Sequence, residues 1–273
     1  MPTISPEPPR ESHQHREMAE SFGVDADRYD RARPRYPDEI IEWVVSGSPG
    51  PDLLDVGTGT GIAARQFLAA GCRVHGVEPD ARMADFARRG GFEVDVSTFE
   101  EWDPAGRVFD AVVAAMAWHW VDPAAGAAKA AEVLRPGGLL AVFWNVADTP
   151  PELTAAFADV YERVLPDSLT ARFLRNTTSA AAAYAPALTK AADGMHAADA
   201  FGEPAEFRYE WDQHYTRDEW LDLAPTTGTH TRLTPADLAA VLAGLGEVID
   251  AHGGGLTVRY TTMGVAATRR SPG

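Results

Sequence analysis

Apolar residues fall into short runs that alternate along the chain with helical stretches. Runs ended by glycine, proline or polar residues predict buried strands; they span 52–57, 72–79, 92–98, 109–117 and 139–146. Helical patterns with capping residues fill the gaps between them; they span 61–71, 80–90 and 122–138. Strands that alternate with crossover helices predict a parallel sheet with helices on both faces.

The pattern changes after Thr149. Residues 150–203 are alanine-rich and mostly helical, which indicates an insertion. Alternation over 206–216 and 256–269 predicts two further strands, the last one antiparallel, on either side of a helix capped by Thr234. We therefore predict an α/β class fold: a doubly wound, Rossmann-like, seven-stranded sheet of five parallel strands plus a C-terminal hairpin-like pair.

Composition excludes several functional classes. The chain has 273 residues, of which 40 are acidic and 24 are lysine or arginine, so its formal charge of −16 repels phosphate backbones and predicts no nucleic-acid partner. Cys72 is the single cysteine, and no cluster of histidines and acids has ligand spacing, so we predict no metal. The polar, proline-rich start and the lack of a spanning apolar run predict a cytoplasmic protein without a membrane partner. The oligomeric state is not readable.

The loop after the first strand is the chemical centre of the sequence. Gly57, Gly59 and Gly61 allow sharp turns and a close approach of the backbone to a ligand, in front of a helix N-terminus. Asp55 lies two residues before the first glycine. Read as G-x-G-x-x-A with Ala64, the loop also fits a dinucleotide. An NAD(P)-dependent oxidoreductase therefore stays open as an alternative.

Several motifs resemble those of class I S-adenosylmethionine-dependent methyltransferases. They are LLDVGTGTG, VHGVEPD, STFEEW, FDAVVAAMAWHW and LRPGGLLAVFWN. The pattern Y-x-x-x-R-P-x-Y-P with A-W-H-W-V-D is similar to the trans-aconitate-methyltransferase-like branch, which modifies small molecules. The resemblance implies S-adenosylmethionine as cofactor, S-adenosylhomocysteine as product and a small-molecule acceptor, in a biosynthetic role.

The resemblance also implies where the cofactor binds. The glycine loop would wrap its methionine and ribose, Glu78 would accept ribose hydroxyls, and Met83 would pack on adenine. Alternatively, Glu78 caps a helix and Met83 packs in the core. The chain departs from the family at Thr98, close to where many members carry an aspartate. The full implied set is Tyr29, Arg33, Asp55, Gly57, Thr58, Gly59, Gly61, Glu78, Pro79, Met83, Thr98, Phe99, Glu100 and Ala115.

Methyl transfer is an in-line displacement that depends on positioning, with a base needed only when the acceptor must lose a proton. His119 is the candidate base, and Trp118 and Trp120 beside it are candidate walls for the acceptor. The alternative is a histidine that bonds the N-terminal segment while the tryptophans pack in the core. His214 and His230 are weaker base candidates, and His230 lies in a hydroxyl-rich loop suited to substrate binding.

Four segments complete the prediction: a disordered tail at 1–14, a cofactor-binding core with an N-terminal lid at 15–149, a helical cap insertion at 150–203, and completion of the sheet at 204–273. A short amphipathic helix is predicted at 16–30. A second functional alternative is a protein that binds the cofactor without transferring methyl, as a partner subunit or another biosynthetic catalyst.

Overall fold

The computed structural model describes residues 20–166, 168–177 and 179–271. The tail predicted at 1–14 lies outside these residues. Within them, one seven-stranded sheet carries helices on both faces, which confirms the predicted fold class. In the described part of the chain, no helix is long and apolar enough to cross a bilayer.

The sheet combines parallel and antiparallel pairing. Its strands are β1 (Asp52–Val56), β2 (Arg73–Glu78), β3 (Glu93–Val96), β4 (Phe109–Ala115), β5 (Leu134–Asp148), β6 (Ala205–Thr216) and β7 (Gly255–Thr268). They lie in the order β3-β2-β1-β4-β5-β7-β6. Strands β1 to β5 are mutually parallel, and β7 runs antiparallel to both β5 and β6. The carboxyl ends of five parallel strands therefore meet at one edge.

Helices enclose this sheet in two layers. They are α1 (Ala26–Ala32), α2 (Asp38–Gly47), α3 (Ile62–Ala69), α4 (Ala81–Arg89), α5 (Pro123–Val133), α6 (Pro151–Val164), α7 (Leu169–Asn176), α8 (Ala180–Ala197), α9 (Arg217–Leu223) and α10 (Pro235–Ala251). Short 3-10 helices occur at Glu20–Asp25, Trp118–Trp120 and Ala224–Thr226.

Alternation along β1 shows how the two layers form. Leu53 joins a cluster that includes Phe67 of α3, and Leu54 joins the opposite cluster that includes Leu188 of α8. Successive strand residues point to opposite faces, so an apolar strand needs a helix on each side. A third cluster, which includes Phe157, packs α6 and α10 against the ends of β6 and β7. The predicted Thr234 cap of α10 is confirmed.

The helix predicted at 122–138 is too long. It ends at Val133, and β5 begins at once, because Leu134 pairs with Phe109. Pro136 disfavours helical backbone in the residue before it, and Gly137 adopts φ +81°. The turn assigned to the helix end is therefore an irregular first part of the strand.

The helix predicted at 16–30 is also different. Its described part is the 3-10 helix Glu20–Asp25 followed by α1, which is capped by the Asp25 carboxylate at 3.0 Å from the Arg28 backbone nitrogen. Gly23 packs so closely that an added Cβ would lie 2.1 Å from an oxygen of Asp80. This contact fixes the N-terminal segment against the start of α4.

Candidate cofactor and acceptor site

A cavity of about 740 Å³ lies at the carboxyl ends of the five parallel strands. Strand-end residues that line it include Gly57, Glu78, Thr98, Ala115 and Asn145. Ligands of open α/β sheets bind at this edge. The N-terminal segment, the helices after β5 and the loop before α10 supply its other walls.

The glycine loop forms one wall of the cavity through left-handed backbone. Gly57, Gly59 and Gly61 have φ values of +67°, +55° and +89°, a region that disfavours side chains. Gly57 and Gly59 line the cavity. Gly61 does not, contrary to its predicted contact with the cofactor, because an added Cβ there would lie 2.5 Å from the Phe92 ring. Gly61 instead provides close packing at the start of α3.

Two alanine substitutions in this loop should have different effects. Both Gly59→Ala and Gly57→Ala place a side chain in the left-handed region, which costs roughly 1–2 kcal/mol. An added Cβ at Gly59 meets nothing within 4 Å, whereas at Gly57 it would lie 2.5 Å from the Ala117 Cβ. We expect Gly59→Ala to remain folded and to bind cofactor weakly. We expect the melting temperature of Gly57→Ala to be several degrees lower than that of Gly59→Ala. Thermal melting measures the stability of the two variants, and titration calorimetry measures their affinity for the cofactor. Equal melting temperatures of the two variants would contradict the close packing at Gly57.

Glu78 connects the loop to the end of β2. Its carboxylate accepts the Gly59 N–H at 2.8 Å through Oε2 and the Asp80 N–H at 2.9 Å through Oε1. Burial raises the pKa of Glu78 to about 7, although both backbone hydrogen bonds oppose that shift. Each carboxylate oxygen can accept a further hydrogen bond. The two backbone hydrogen bonds fit the alternative of a turn-capping acid, and the free acceptor positions leave the predicted contact with ligand hydroxyls possible.

Asp55 is buried behind the loop with one acceptor unused. Its Oδ2 accepts the Thr58 hydroxyl at 2.7 Å, and its Oδ1 has no partner among the described residues. Burial raises the pKa of Asp55 to about 7. Asp55 and Thr58 line a small space next to the main cavity, which also borders Tyr29. A buried acceptor without a partner at a ligand cavity suits a ligand that brings hydrogen-bond donors or positive charge.

The residues predicted to contact adenine lie together at the cavity. Pro79, Met83, Thr98, Phe99 and Glu100 all line it. The Oε1 of Glu100 accepts the backbone N–H of Asp122 at 2.8 Å, so this oxygen is engaged at the start of α5. Glu100 therefore ties two loops together in addition to facing the cavity.

Tyr29 and Arg33 reach the cavity from the N-terminal segment. The Arg33 guanidinium carbon lies 4.9 Å from the centre of the Tyr29 ring. Arg33 also donates from a terminal nitrogen to the backbone carbonyl of Thr226 at 2.5 Å, and its Nε has no partner among the described residues. The predicted lid segment is thus linked to the loop before α10.

The A-W-H-W segment divides between cavity and core. His119 and Trp120 line the cavity. Trp118 does not, although it was predicted as an acceptor wall; it is 2% exposed and packs in the core near Phe99. Burial lowers the pKa of His119 to about 4. So weak a base removes protons poorly near pH 7, so this lowered pKa counts against a general-base role of His119, which stays a prediction.

His230 also lies outside the cavity, contrary to its predicted contact with substrate. It is 5% exposed and is held between the Tyr161 hydroxyl and the Thr227 hydroxyl, each 2.6 Å from a ring nitrogen. Thr227, Gly228 and Thr229 line the cavity instead. His230 thus supports the wall that the hydroxyl-rich loop forms. His214 lies on β6, where it is exposed.

Sequence reasoning missed most of the remaining wall. These residues are Phe22, Met116, Asn145, Phe173, Ala180 and Tyr184. Met116 has φ +58°, which is uncommon for a residue other than glycine. This turn follows directly after β4 and leads the chain into the 3-10 helix that carries His119. Only the position after a strand end could have pointed to Met116 in advance.

In the part of the chain that the structure describes, no group of three or more histidine, cysteine, aspartate or glutamate residues could hold a metal ion.

One part of the chain matches a known family of proteins. Residues 54–142 match the family model described as a methyltransferase domain. An uncharacterized methyltransferase from Mycobacterium tuberculosis is 39% identical over 135 residues, which are 49% of this chain and 55% of that protein. A ubiquinone biosynthesis O-methyltransferase from a Bradyrhizobium species is 37% identical over 34% of this chain and 39% of that protein. The chain spans about half the length of the first curated relatives it matches.

A solved structure supports the same assignment. A provisionally assigned type II methyltransferase from Anaeromyxobacter dehalogenans is 25% identical, with a TM-score of 0.58 over 88% of this chain and 99% of that one. The cofactor of this domain is S-adenosylmethionine, as the motifs implied. The chain carries a methyltransferase domain over residues 54–142, and its motifs and fold resemble those of class I S-adenosylmethionine-dependent methyltransferases.

Proposed function

We propose that this chain transfers a methyl group from S-adenosylmethionine to a small-molecule acceptor, in the manner of the small-molecule branch its motifs resemble. One observation carries the proposal: Glu78 joins the glycine loop at Gly59 within a cavity that continues past His119 to an aromatic wall. The cofactor and the acceptor can thus share one enclosed space. A biosynthetic role is part of the proposal.

The cofactor fits the groups that face it. Glu78 offers two buried acceptors for ribose hydroxyls, and Asp55 offers one acceptor that has no partner among the described residues. Gly59 lines the cavity, and an added Cβ there would meet nothing within 4 Å, so the space beside it is open to a ligand. We assign Tyr29 and Arg33 to the methionine end and Met83, Thr98 and Phe99 to the adenine end.

The chemistry depends on position more than on acid–base catalysis. When bound, S-adenosylmethionine supplies a methyl group already activated by a sulfonium. The chain excludes water with Phe22, Trp120 and Tyr184 and orients the acceptor against the cofactor. Good positioning of two reactants can lower a barrier by about 7–11 kcal/mol. No general base among the lining residues is required by this proposal.

The size and charge of the cavity support a small acceptor. Its volume of about 740 Å³ lies within the usual range of small-molecule sites, roughly 300–1,000 Å³. The acidic Glu78, Glu100 and Glu101 line it, and the chain carries a formal charge of −16. Both features disfavour nucleic acid as the acceptor.

Another acid, Asp55, counts against a dinucleotide. In an NAD(P)-dependent oxidoreductase the pyrophosphate would lie against the glycine loop. Here the buried carboxyl group of Asp55 lies directly behind that loop, at a distance of 2.7 Å from the Thr58 hydroxyl. A buried carboxyl group at this position supplies no positive charge for a pyrophosphate and repels it when ionised.

Calorimetry and a product screen test the proposal. S-adenosylhomocysteine should bind the full chain, and NADH should not. Pooled carboxylic acids, phenols and amines are then incubated with methyl-labelled S-adenosylmethionine, and labelled products are expected. Tight binding of NADH would overturn the proposal. Tight binding of S-adenosylhomocysteine without any labelled product would favour the alternative of a non-methylating catalyst or partner subunit.

A further inference from the structure

One hydrogen bond joins His119 to the core beneath the cavity. Trp144 lies on β5 and is fully buried, and its indole Nε1 is 3.0 Å from Nδ1 of His119. An indole nitrogen can only donate a hydrogen bond. The Nδ1 atom of His119 therefore accepts and carries no proton.

The other ring nitrogen of His119, Nε2, carries the proton and can donate a hydrogen bond. Because the surroundings of His119 lower its pKa to about 4, the ring is neutral near pH 7 and has one proton, which lies on Nε2. Within the described residues, Nε2 has no hydrogen-bond partner, and it is not one of the fully buried polar atoms that lack a partner. The ring lines the cavity beside Trp120, 4.7 Å away between ring centres. The Nε2–H group is thus left for a ligand.

We infer that Trp144 is a positioning residue that holds His119 as an Nε2–H hydrogen-bond donor to the methyl acceptor. The inference rests on the proposed function, and it identifies the Nε2–H group of His119 as a group that binds the acceptor. His119 then orients the acceptor rather than taking its proton, because the nitrogen open to the ligand is already protonated. The acceptor is accordingly a molecule with an oxygen or an unprotonated nitrogen that can accept this hydrogen bond.

Nuclear magnetic resonance of the full chain, labelled with ¹⁵N-histidine and saturated with S-adenosylhomocysteine, reads the tautomer directly. The His119 signals are assigned by their loss in His119→Gln. We expect the proton on Nε2 in the wild type and a mixture of tautomers in Trp144→Phe. Trp102→Phe is the matched control, because the Trp102 indole donates to Asp95 at 2.8 Å instead, and it should leave the His119 signals unchanged.

A proton on Nδ1 in the wild type would overturn the inference. This result does not depend on Trp144→Phe, so a misfolded Trp144→Phe would not prevent the test. On the pooled acceptors converted by the wild type, His119→Gln keeps an N–H donor and should retain at least about tenfold more activity than His119→Ala. Equal loss in both would overturn the donor role. Failure of S-adenosylhomocysteine to bind would instead overturn the proposed function, independently of the tautomer.

Discussion

Glu78→Ala is expected to weaken the binding of S-adenosylhomocysteine by about 100-fold or more. Each hydrogen bond from a ligand hydroxyl to a carboxylate is worth roughly 1.5–3 kcal/mol, and two of them would be lost. The substitution also leaves the N–H groups of Gly59 and Asp80 without their acceptor, which loosens the glycine loop. Titration calorimetry at constant pH measures the change.

Two further variants make this result specific. Glu93→Ala removes the same charge at the other end of the neighbouring strand β3, where the side chain is 88% exposed, and should leave the affinity unchanged. Glu78→Gln keeps the shape and one acceptor, so its affinity should lie between those of the wild type and Glu78→Ala. Normal affinity of a folded Glu78→Ala protein would remove Glu78 from the site.

Asp55→Asn is expected to stabilise the ligand-free protein at about pH 8 while weakening cofactor binding. Burial raises the pKa of Asp55 to about 7, above the value of about 4 for an unfolded chain. A carboxyl group shifted upward stabilises the fold fully below the unfolded pKa, and this contribution is lost as the pH rises through about 7. Ionisation at about pH 8 therefore costs up to about 4 kcal/mol, which the amide avoids.

Thermal melting at about pH 5.5 and at about pH 8 provides the measurement. The melting temperature of Asp55→Asn should exceed that of the wild type by several degrees at the higher pH, and the difference should shrink at the lower pH. Asp85→Asn removes an exposed acid, 65% accessible, and should show neither effect. If Asp55→Asn and the wild type respond to pH in parallel, Asp55 is not a buried acid with a raised pKa.

The cofactor half of the site was predictable because its residues are local in sequence. A glycine loop, the acid before it and Glu78 all follow strand ends, and parallel topology brings those ends together. The packing contacts of single residues were less predictable. Gly61 turns toward Phe92, and Trp118 packs against Gly126, since these choices depend on contacts made across the fold.

The acceptor half was not predictable because it is assembled from distant segments. Phe22, Tyr184 and Thr227 meet at one cavity although they come from the N-terminal segment, α8 and the loop before α10. The position of that loop over the cavity was expected, but the inward orientation of Thr227 depends on its hydrogen bond with His230. Likewise, the pairing of Trp144 with His119 joins residues 25 positions apart and leaves no local pattern.

This division of the walls has a consequence for how the chain can diversify. The matched domain at 54–142 contains the glycine loop, Glu78 and Met83 of the cofactor wall, whereas Phe22, Phe173 and Thr229 of the acceptor wall lie outside it. Mutations that reshape the acceptor wall can therefore accumulate without disturbing the cofactor cradle. On the proposed function, the fold thus separates the part that holds the methyl donor from segments that help to select the acceptor. Grafting the three outer segments from a relative is thus a direct route to a changed specificity.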